Sequence, residues 1–295
     1  MKTLKITTLT TFLLTALAFS GFRRPADDYE KEIRAFHQKR IEGLKKENGW
    51  LNLAGLFWLE AGENTFGSDP SNELVFPKGK SDDFLGKLIL KNDAVVFESQ
   101  AEQKVSDEKG LPVSQLKVFP SEKPEVLKHK SLQWTIIKRG DKYGVRLRDL
   151  ESEELKNFKD IDTYPVDRKW KVKAAFVPSN GRQIPILDVL GQTSLQDSPG
   201  RLVFTIKGKS YNLDAVGTTD ELFIIFGDKT NKKETYGAGR FLYSAVESDG
   251  SVYLDFNKAI NPPCAFTPFA TCPLPPKQNL LEVSINAGEK NYSYH

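Results

Sequence analysis

Residues Gly49 to Pro77 read GWLNLAGLFWLEAGENTFGSDPSNELVFP, and the character of the chain changes there. Leu51 to Leu59 is an apolar run, expected as a strand buried on both faces or as an entry strand. Glu63–Phe66 and Leu74–Phe76 follow, set apart by turn residues at Ala61-Gly62 and Gly67-Ser68-Asp69-Pro70. Working outward, Lys87–Leu90, Ala94–Phe97, Gln115–Phe119, Leu132–Lys138 and Tyr143–Arg148 recur at intervals of roughly ten residues, the spacing of a small β-sandwich or barrel. A second series begins at Lys169–Val177 and continues through Ile184–Leu190, Arg201–Ile206, Ser210–Leu213, Leu222–Phe226, Arg240–Val246, Val252–Phe256 and Leu281–Ile285.

The fold expected from this pattern is mainly β, with an N-terminal small sandwich over 49–150 and a C-terminal barrel-like sheet over 169–295. The charged, turn-rich stretch 151–168 separates them as a linker. One amphipathic helix over 21–48 precedes the two lobes. Tyr29, Ile33, Phe36, Arg40 or Ile41, and Leu44 recur at steps of three and four. Asp27 or Asp28 supplies a cap, and Asn48-Gly49 a stop signal.

Residues 1–20, MKTLKITTLTTFLLTALAFS, have the form of a signal peptide. Two lysines precede an apolar stretch, and Ala16-Leu17-Ala18 offers small residues for cleavage. The stretch is short for a bilayer span, and no other segment approaches ~18 consecutive apolar residues. The expectation is a periplasmic or secreted protein with no transmembrane segment in the mature chain. The 295 residues are 39% hydrophobic and 27% charged, an ordinary globular composition. Their net charge is +3, which falls to +1 without Lys2 and Lys5, so no field for nucleic acid or anionic lipid follows.

One segment departs from the strand pattern. Leu254 to Asn279, LDFNKAINPPCAFTPFATCPLPPKQN, holds six prolines and both cysteines of the chain. Prolines set φ and remove amide donors, so this is an ordered loop or edge rather than a central strand. Phe266, Phe269, Cys264, Cys272 and Leu274 are its apolar anchors. In an oxidising compartment Cys264 and Cys272 form a disulfide worth at most ~2–3 kcal/mol; two buried free thiols are the competing reading. Two cysteines and the scattered His37, His129 and His295 make no zinc cluster.

Thr235–Leu242 (TYGAGRFL), Leu254–Asn257 (LDFN), Asn261–Pro276 (NPPCAFTPFATCPLPP), Ala287–Lys290 (AGEK) and Gly49–Pro77 together resemble the bacterial domain-of-unknown-function family 1684, over nearly the whole mature chain. The chain departs from that pattern at Ile260, where the family commonly has tyrosine. The resemblance implies a domain type and no chemistry. Gly67 to Leu74, GSDPSNEL, also looks like the glycine-led turn of forkhead-associated phosphopeptide-binding domains. Ser68 stands where that pattern has arginine, and no histidine lies between His37 and His129, so the phosphate-binding set is incomplete.

Polar residues gather around the proline loop: Arg240, Asp255, Asn257, Asn261, Thr267, Asn279 and Glu289. Asp255 and Asn257 alternate with Leu254 and Phe256 and share one face if the strand continues through them. No G-x-S-x-G elbow, phosphate loop, G-x-G-x-x-G or H-E-x-x-H motif occurs. Carboxylate chemistry on a small polar substrate is therefore the enzymatic expectation, with Asp255 as general base and Glu289 as acid. Arg240, Asn257, Asn261, Thr267 and Asn279 would contact the substrate; no metal is called for, and the sequence names no cofactor. A non-catalytic glycan- or peptide-binding module, with Trp58, Trp134 or Trp170 as stacking surfaces, is the second reading. A scaffold, in which the polar groups only satisfy loop backbone, is the third.

Overall fold

A computed structural model describes residues 27–100 and 104–292; the leader expected over 1–20 lies outside them. Helix α1 spans Asp28–Lys45, and the Asp27 carboxylate caps it by accepting from the Glu30 amide at 2.8 Å. Tyr29, Ile33 and Leu44 are its buried residues, the stripe that the three- and four-residue spacing predicts. The chain then turns so tightly that a Cβ on Gly49 would strike the backbone of Leu44, which only glycine accommodates.

The first lobe contains β1 (Leu53–Trp58), β2 (Gly62–Gly67), β3 (Leu74–Val75), β4 (Gly86–Lys91), β5 (Ala94–Ser99), β6 (Gln115–Phe119), β7 (Leu127–His129), β8 (Leu132–Arg139) and β9 (Lys142–Asp149). A four-stranded sheet β1-β9-β8-β7 faces a five-stranded sheet β3-β2-β4-β5-β6. Between them Trp134 meets Phe66 and Phe76 edge-on, with ring centroids 5.4 and 5.6 Å apart. On β9 the residues Val145 and Leu147 point into this core. The period of two therefore sends Arg146 and Arg148 to the opposite face.

Residues 151–168, expected as a linker, are packed. They hold the short helix α2 (Glu153–Asn157), and Phe158 and Ile161 join Leu44, Leu51, Ala265 and Phe266 in one apolar cluster. Two large apolar side chains in a charged stretch are enough to bind it down, because their burial outweighs its polar composition.

The second lobe contains β10 (Lys171–Pro178), β11 (Gln183–Leu187), β12 (Thr193–Asp197), β13 (Gly200–Ile206), β14 (Lys209–Gly217), β15 (Leu222–Phe226), β16 (Arg240–Ser244) and β17 (Ser251–Asp255). Its main sheet runs β16-β15-β14-β13-β10-β17, and β11-β12 form a separate hairpin. The two ends of the main sheet come together. Val246 bridges Val252, and the Ser244 hydroxyl donates to the Tyr253 carbonyl at 2.9 Å, which nearly closes a barrel. Leu281–Ile285 is not a strand. Leu281, Val283 and Ile285 enter the barrel core while backbone bonds tie this stretch to Gly227 and Lys229. An apolar alternation marks a buried face without saying whether a neighbouring strand exists to pair with it.

The fold is thus mainly β, a small sandwich and a nearly closed barrel preceded by one amphipathic helix. Helix α1 precedes the sandwich in the chain but docks on the barrel. Among the described residues no helix is long and apolar enough to cross a membrane.

Candidate functional site

The polar residues around the proline loop are close to one another, but most of them spend their hydrogen bonds on the protein. Arg240 is fully buried. Its guanidinium donates to Asp228 Oδ2 at 2.7 Å and to the carbonyls of Ile285 at 3.0 Å, Glu289 at 3.3 Å and Ala287. It fastens β16 to the C-terminal segment. Asn279 is equally committed, donating to the carbonyls of Asp214 and Ile225 and accepting from the Asp214 amide, each at 2.8 Å. Thr267 Oγ1 accepts from the Phe269 amide at 3.2 Å, a local loop contact.

Asp255 and Asn257 hold the helix. Tyr29 donates to Asp255 Oδ1 at 2.9 Å, and Asn257 Nδ2 donates to the Tyr29 oxygen at 2.9 Å and to the Asp167 carbonyl at 3.0 Å. Burial and then the Asp255 carboxylate push the Tyr29 hydroxyl well above its ordinary pKa, so it stays protonated and donating. Glu289 is fully buried as well. Its Oε2 accepts from the Asn261 amide at 2.6 Å, and its Oε1 lies 3.3 Å from Arg40 Nε. Burial raises the Glu289 pKa above the usual carboxylate range, against the opposing pull of Arg40 and the Asn261 amide.

That shift has a testable sign. A carboxyl whose folded pKa is raised contributes stability that is full below the unfolded value of ~4.3 and is lost as pH rises through the folded value. Glu289→Gln removes that titration. Denaturation measured across pH should show the variant gaining stability relative to wild type as pH rises through that window.

A cleft of about 250 Å³ lies between the lobes, where the proline loop approaches β8 and β9. Trp50, Arg139 and Arg146 line it from the sandwich side, and Phe223, Phe241 and Tyr243 from the barrel. Arg40 and the loop residues Ile260, Asn261, Pro263 and Ala270 to Pro273 complete it. Cys264 and Cys272 are joined in a disulfide, Cα atoms 6.1 Å apart, and Cys272 belongs to the wall. Of the residues singled out from the sequence, Asn261 and Cys272 line this cleft; Asp255, Glu289, Arg240, Asn257, Thr267 and Asn279 do not.

The electrostatics of the cleft are one-sided. Arg146 sits across the ladder from Thr135 on β8 and Leu56 on β1, so neither neighbouring strand offers it a carboxylate. Its guanidinium lies 5.6 Å from the Trp50 ring, and its buried Nε has no hydrogen-bond acceptor. Burial, followed by repulsion from Arg139 and Arg148, lowers the Arg146 pKa to about 10. Burial also lowers Arg148 to about 10, although it donates to the Gly49 carbonyl and, at 2.7 Å, to Asn52 Oδ1. Arg139 Nε donates to Thr271 Oγ1 at 3.2 Å and so ties β8 to the disulfide loop. Among the described residues none of these three arginines makes a salt bridge, whereas Arg40 is matched by Glu289.

Sequence reasoning missed Trp50, Arg139 and Arg146 as site residues. The available signal was Arg-x-Arg on one face of a predicted strand, with Arg139 at the adjoining turn and no acid across from it. Among the described residues no group of three or more metal-ligating side chains occurs.

A helix-fronted pair of β lobes with an arginine cleft sealed by a proline-cysteine loop is the class of protein these features define. The family described as protein of unknown function (DUF1684) matches residues 156–290, and the chain belongs to it. The match covers the barrel, the loop and the approach to them, not nearly the whole mature chain as the sequence resemblance implied. An uncharacterized protein of Haloarcula marismortui, solved by NMR, is similar at 30% identity and a TM-score of 0.39, over 47% of this chain and 80% of that one. An FHA domain from a study of phosphothreonine-dependent interactions aligns at 10% identity and a TM-score of 0.22, over 32% of this chain and 92% of that one. An FhaA FHA domain solved in a complex aligns at the same identity and TM-score, over 97% of its own length. No curated protein matches the chain.

Proposed function

We propose that the protein binds a small organic anion in the cleft between its lobes, and that it does so after export. The observation that carries this reading is Arg146, a half-buried guanidinium with no acidic partner at the wall of the cleft. An unpaired buried charge is costly, and structures retain one where a ligand neutralises it. The forked guanidinium suits a carboxylate or phosphate held through two oxygens. The disulfide in the wall of the cleft supports the exported location suggested by the leader.

In this reading Asp255 and Glu289 are structural carboxylates, since their partners are the helix, Arg40 and loop amides. Thermal denaturation of the mature chain with acetate, citrate, inorganic phosphate or benzoate tests the proposal. At least one of these anions should raise Tm in wild type and in Asp255→Asn, and leave Arg146→Met unmoved. Failure of all four to shift wild type, or an equal shift in Arg146→Met, overturns it.

A further inference from the structure

The walls of the cleft say more about its occupant than its charge does. Arg40 is already paired with Glu289 at 3.3 Å and also donates to the Asn261 carbonyl at 2.9 Å. Arg148 is turned to Gly49 and Asn52, and Arg139 spends Nε on Thr271 and another nitrogen on the Lys138 carbonyl at 2.9 Å. Arg146 is the uncommitted guanidinium, with Arg139 adding what donors it has left. That capacity matches one anionic group of single charge.

Asn261 sets a second condition. It is fully buried, lines the cleft, and donates Nδ2 to the Lys290 carbonyl at 2.7 Å. That bond fixes the orientation of the amide, because the reversed one would place two oxygens together. Its Oδ1 accepts no hydrogen bond from the protein. A buried acceptor of this kind asks for a donor, and it disfavours a second negative charge beside it.

The third condition is aromatic. Phe223 presents its edge to Phe241 at a centroid distance of 4.9 Å and stacks with Tyr243 at 5.0 Å and 17°. Tyr243 is 49% exposed, which leaves much of this side chain uncovered by the protein. Ile260, Ala270 and Pro263 extend the apolar wall, and Trp50 lies on the sandwich side. Flat rings pack favourably against such aromatic faces and edges. The volume of about 250 Å³ is below the roughly 300–1,000 Å³ of drug-sized sites, so a ligand of one ring and a few substituents fits.

We infer that the ligand is a single-ring aromatic carboxylate bearing a hydroxyl or amino donor. Its carboxylate would meet Arg146 and Arg139, its ring the Phe223–Phe241–Tyr243 wall, and its donor Asn261 Oδ1. This rests on the anion-binding reading above and names the chemistry it would select.

Calorimetric titration of the mature chain separates the two. The probes are the three hydroxybenzoate isomers, benzoate, cyclohexanecarboxylate, acetate and inorganic phosphate. One hydroxybenzoate is expected to bind at least tenfold more tightly than benzoate, and benzoate at least tenfold more tightly than acetate or phosphate. Tyr243→Leu, at a partly exposed position, should narrow the gap between benzoate and cyclohexanecarboxylate at least threefold; an unchanged gap overturns the placing of the ring against this wall. If acetate or phosphate equals the best hydroxybenzoate, the aromatic assignment is overturned and anion binding stands. If no hydroxybenzoate surpasses benzoate, the donor assignment to Asn261 is overturned. If nothing binds, or Arg146→Met binds every probe as wild type does, both readings fall.

Discussion

Replacing Asp228 by alanine should destabilise the protein by about 3–5 kcal/mol, the range for removing one partner of a buried ion pair. The Asp228 carboxylate is the only acid paired with the fully buried Arg240 among the described residues, and its other oxygen accepts from Thr230 and from the Ile285 amide at 3.2 Å. Without it, Arg240 keeps its carbonyl partners but loses its ion-pair partner in the barrel interior. In a domain of this size the loss corresponds to a fall in Tm of about 10 °C or more, read by differential scanning calorimetry. Asp228→Leu combined with Arg240→Met should recover much of it, because two apolar residues avoid the desolvation that the ion pair must offset. A double variant as unstable as Asp228→Ala would mean that the carbonyl contacts of Arg240, and not charge balance, hold the C-terminal segment.

Arg146→Met is the opposite case, with stability expected to rise by about 1 kcal/mol as affinity for the anion is lost. Arg146 is half-buried, its Nε is unsatisfied, and Arg139 and Arg148 repel it. Methionine keeps most of the side-chain volume against Trp50 and removes the desolvated charge. Partial solvent access and screening keep the gain modest. Removing the charge from a desolvated guanidinium–carboxylate contact should weaken binding by about 30-fold or more, equivalent to roughly 2 kcal/mol. Urea denaturation and calorimetric titration of the same samples measure the two effects together. A variant that is destabilised, and binds anions as before, would show that Arg146 is a packing residue.

These two arginines illustrate what could be read from the chain alone. Both occur in strands that the alternation of apolar residues places correctly, Arg240 at the start of β16 and Arg146 within β9. Arg240 drew attention because it lies in the motif-rich second half, yet it is a strut inside the barrel. Arg146 drew none, yet it faces the cleft. The difference comes from Asp228 and from three carbonyls more than forty residues away in sequence for Arg240, and from the absence of any acidic partner for Arg146 among the described residues. Neither is a local property. The strand that would have put Asp255 and Asn257 on one face ends at Asp255; a single helical turn follows, and Asp255 meets Asn257 by capping it, while Tyr29, 226 residues from Asp255, hydrogen-bonds to both. The stretch 151–168 reads as a linker by composition and packs as a strap because Phe158 and Ile161 find apolar partners in α1 and the proline loop.

The mainly β character, the two lobes, the leading helix, and the proline-cysteine loop as an ordered wall are all legible in the amino-acid pattern. Each follows from periodicity or from the backbone limits of proline, which act over a few residues. Only the folded chain shows that α1 docks on the barrel and that the cleft is lined by arginines rather than carboxylates. Those outcomes depend on which distant groups come within hydrogen-bonding distance once the lobes close on each other, and no local pattern encodes that pairing.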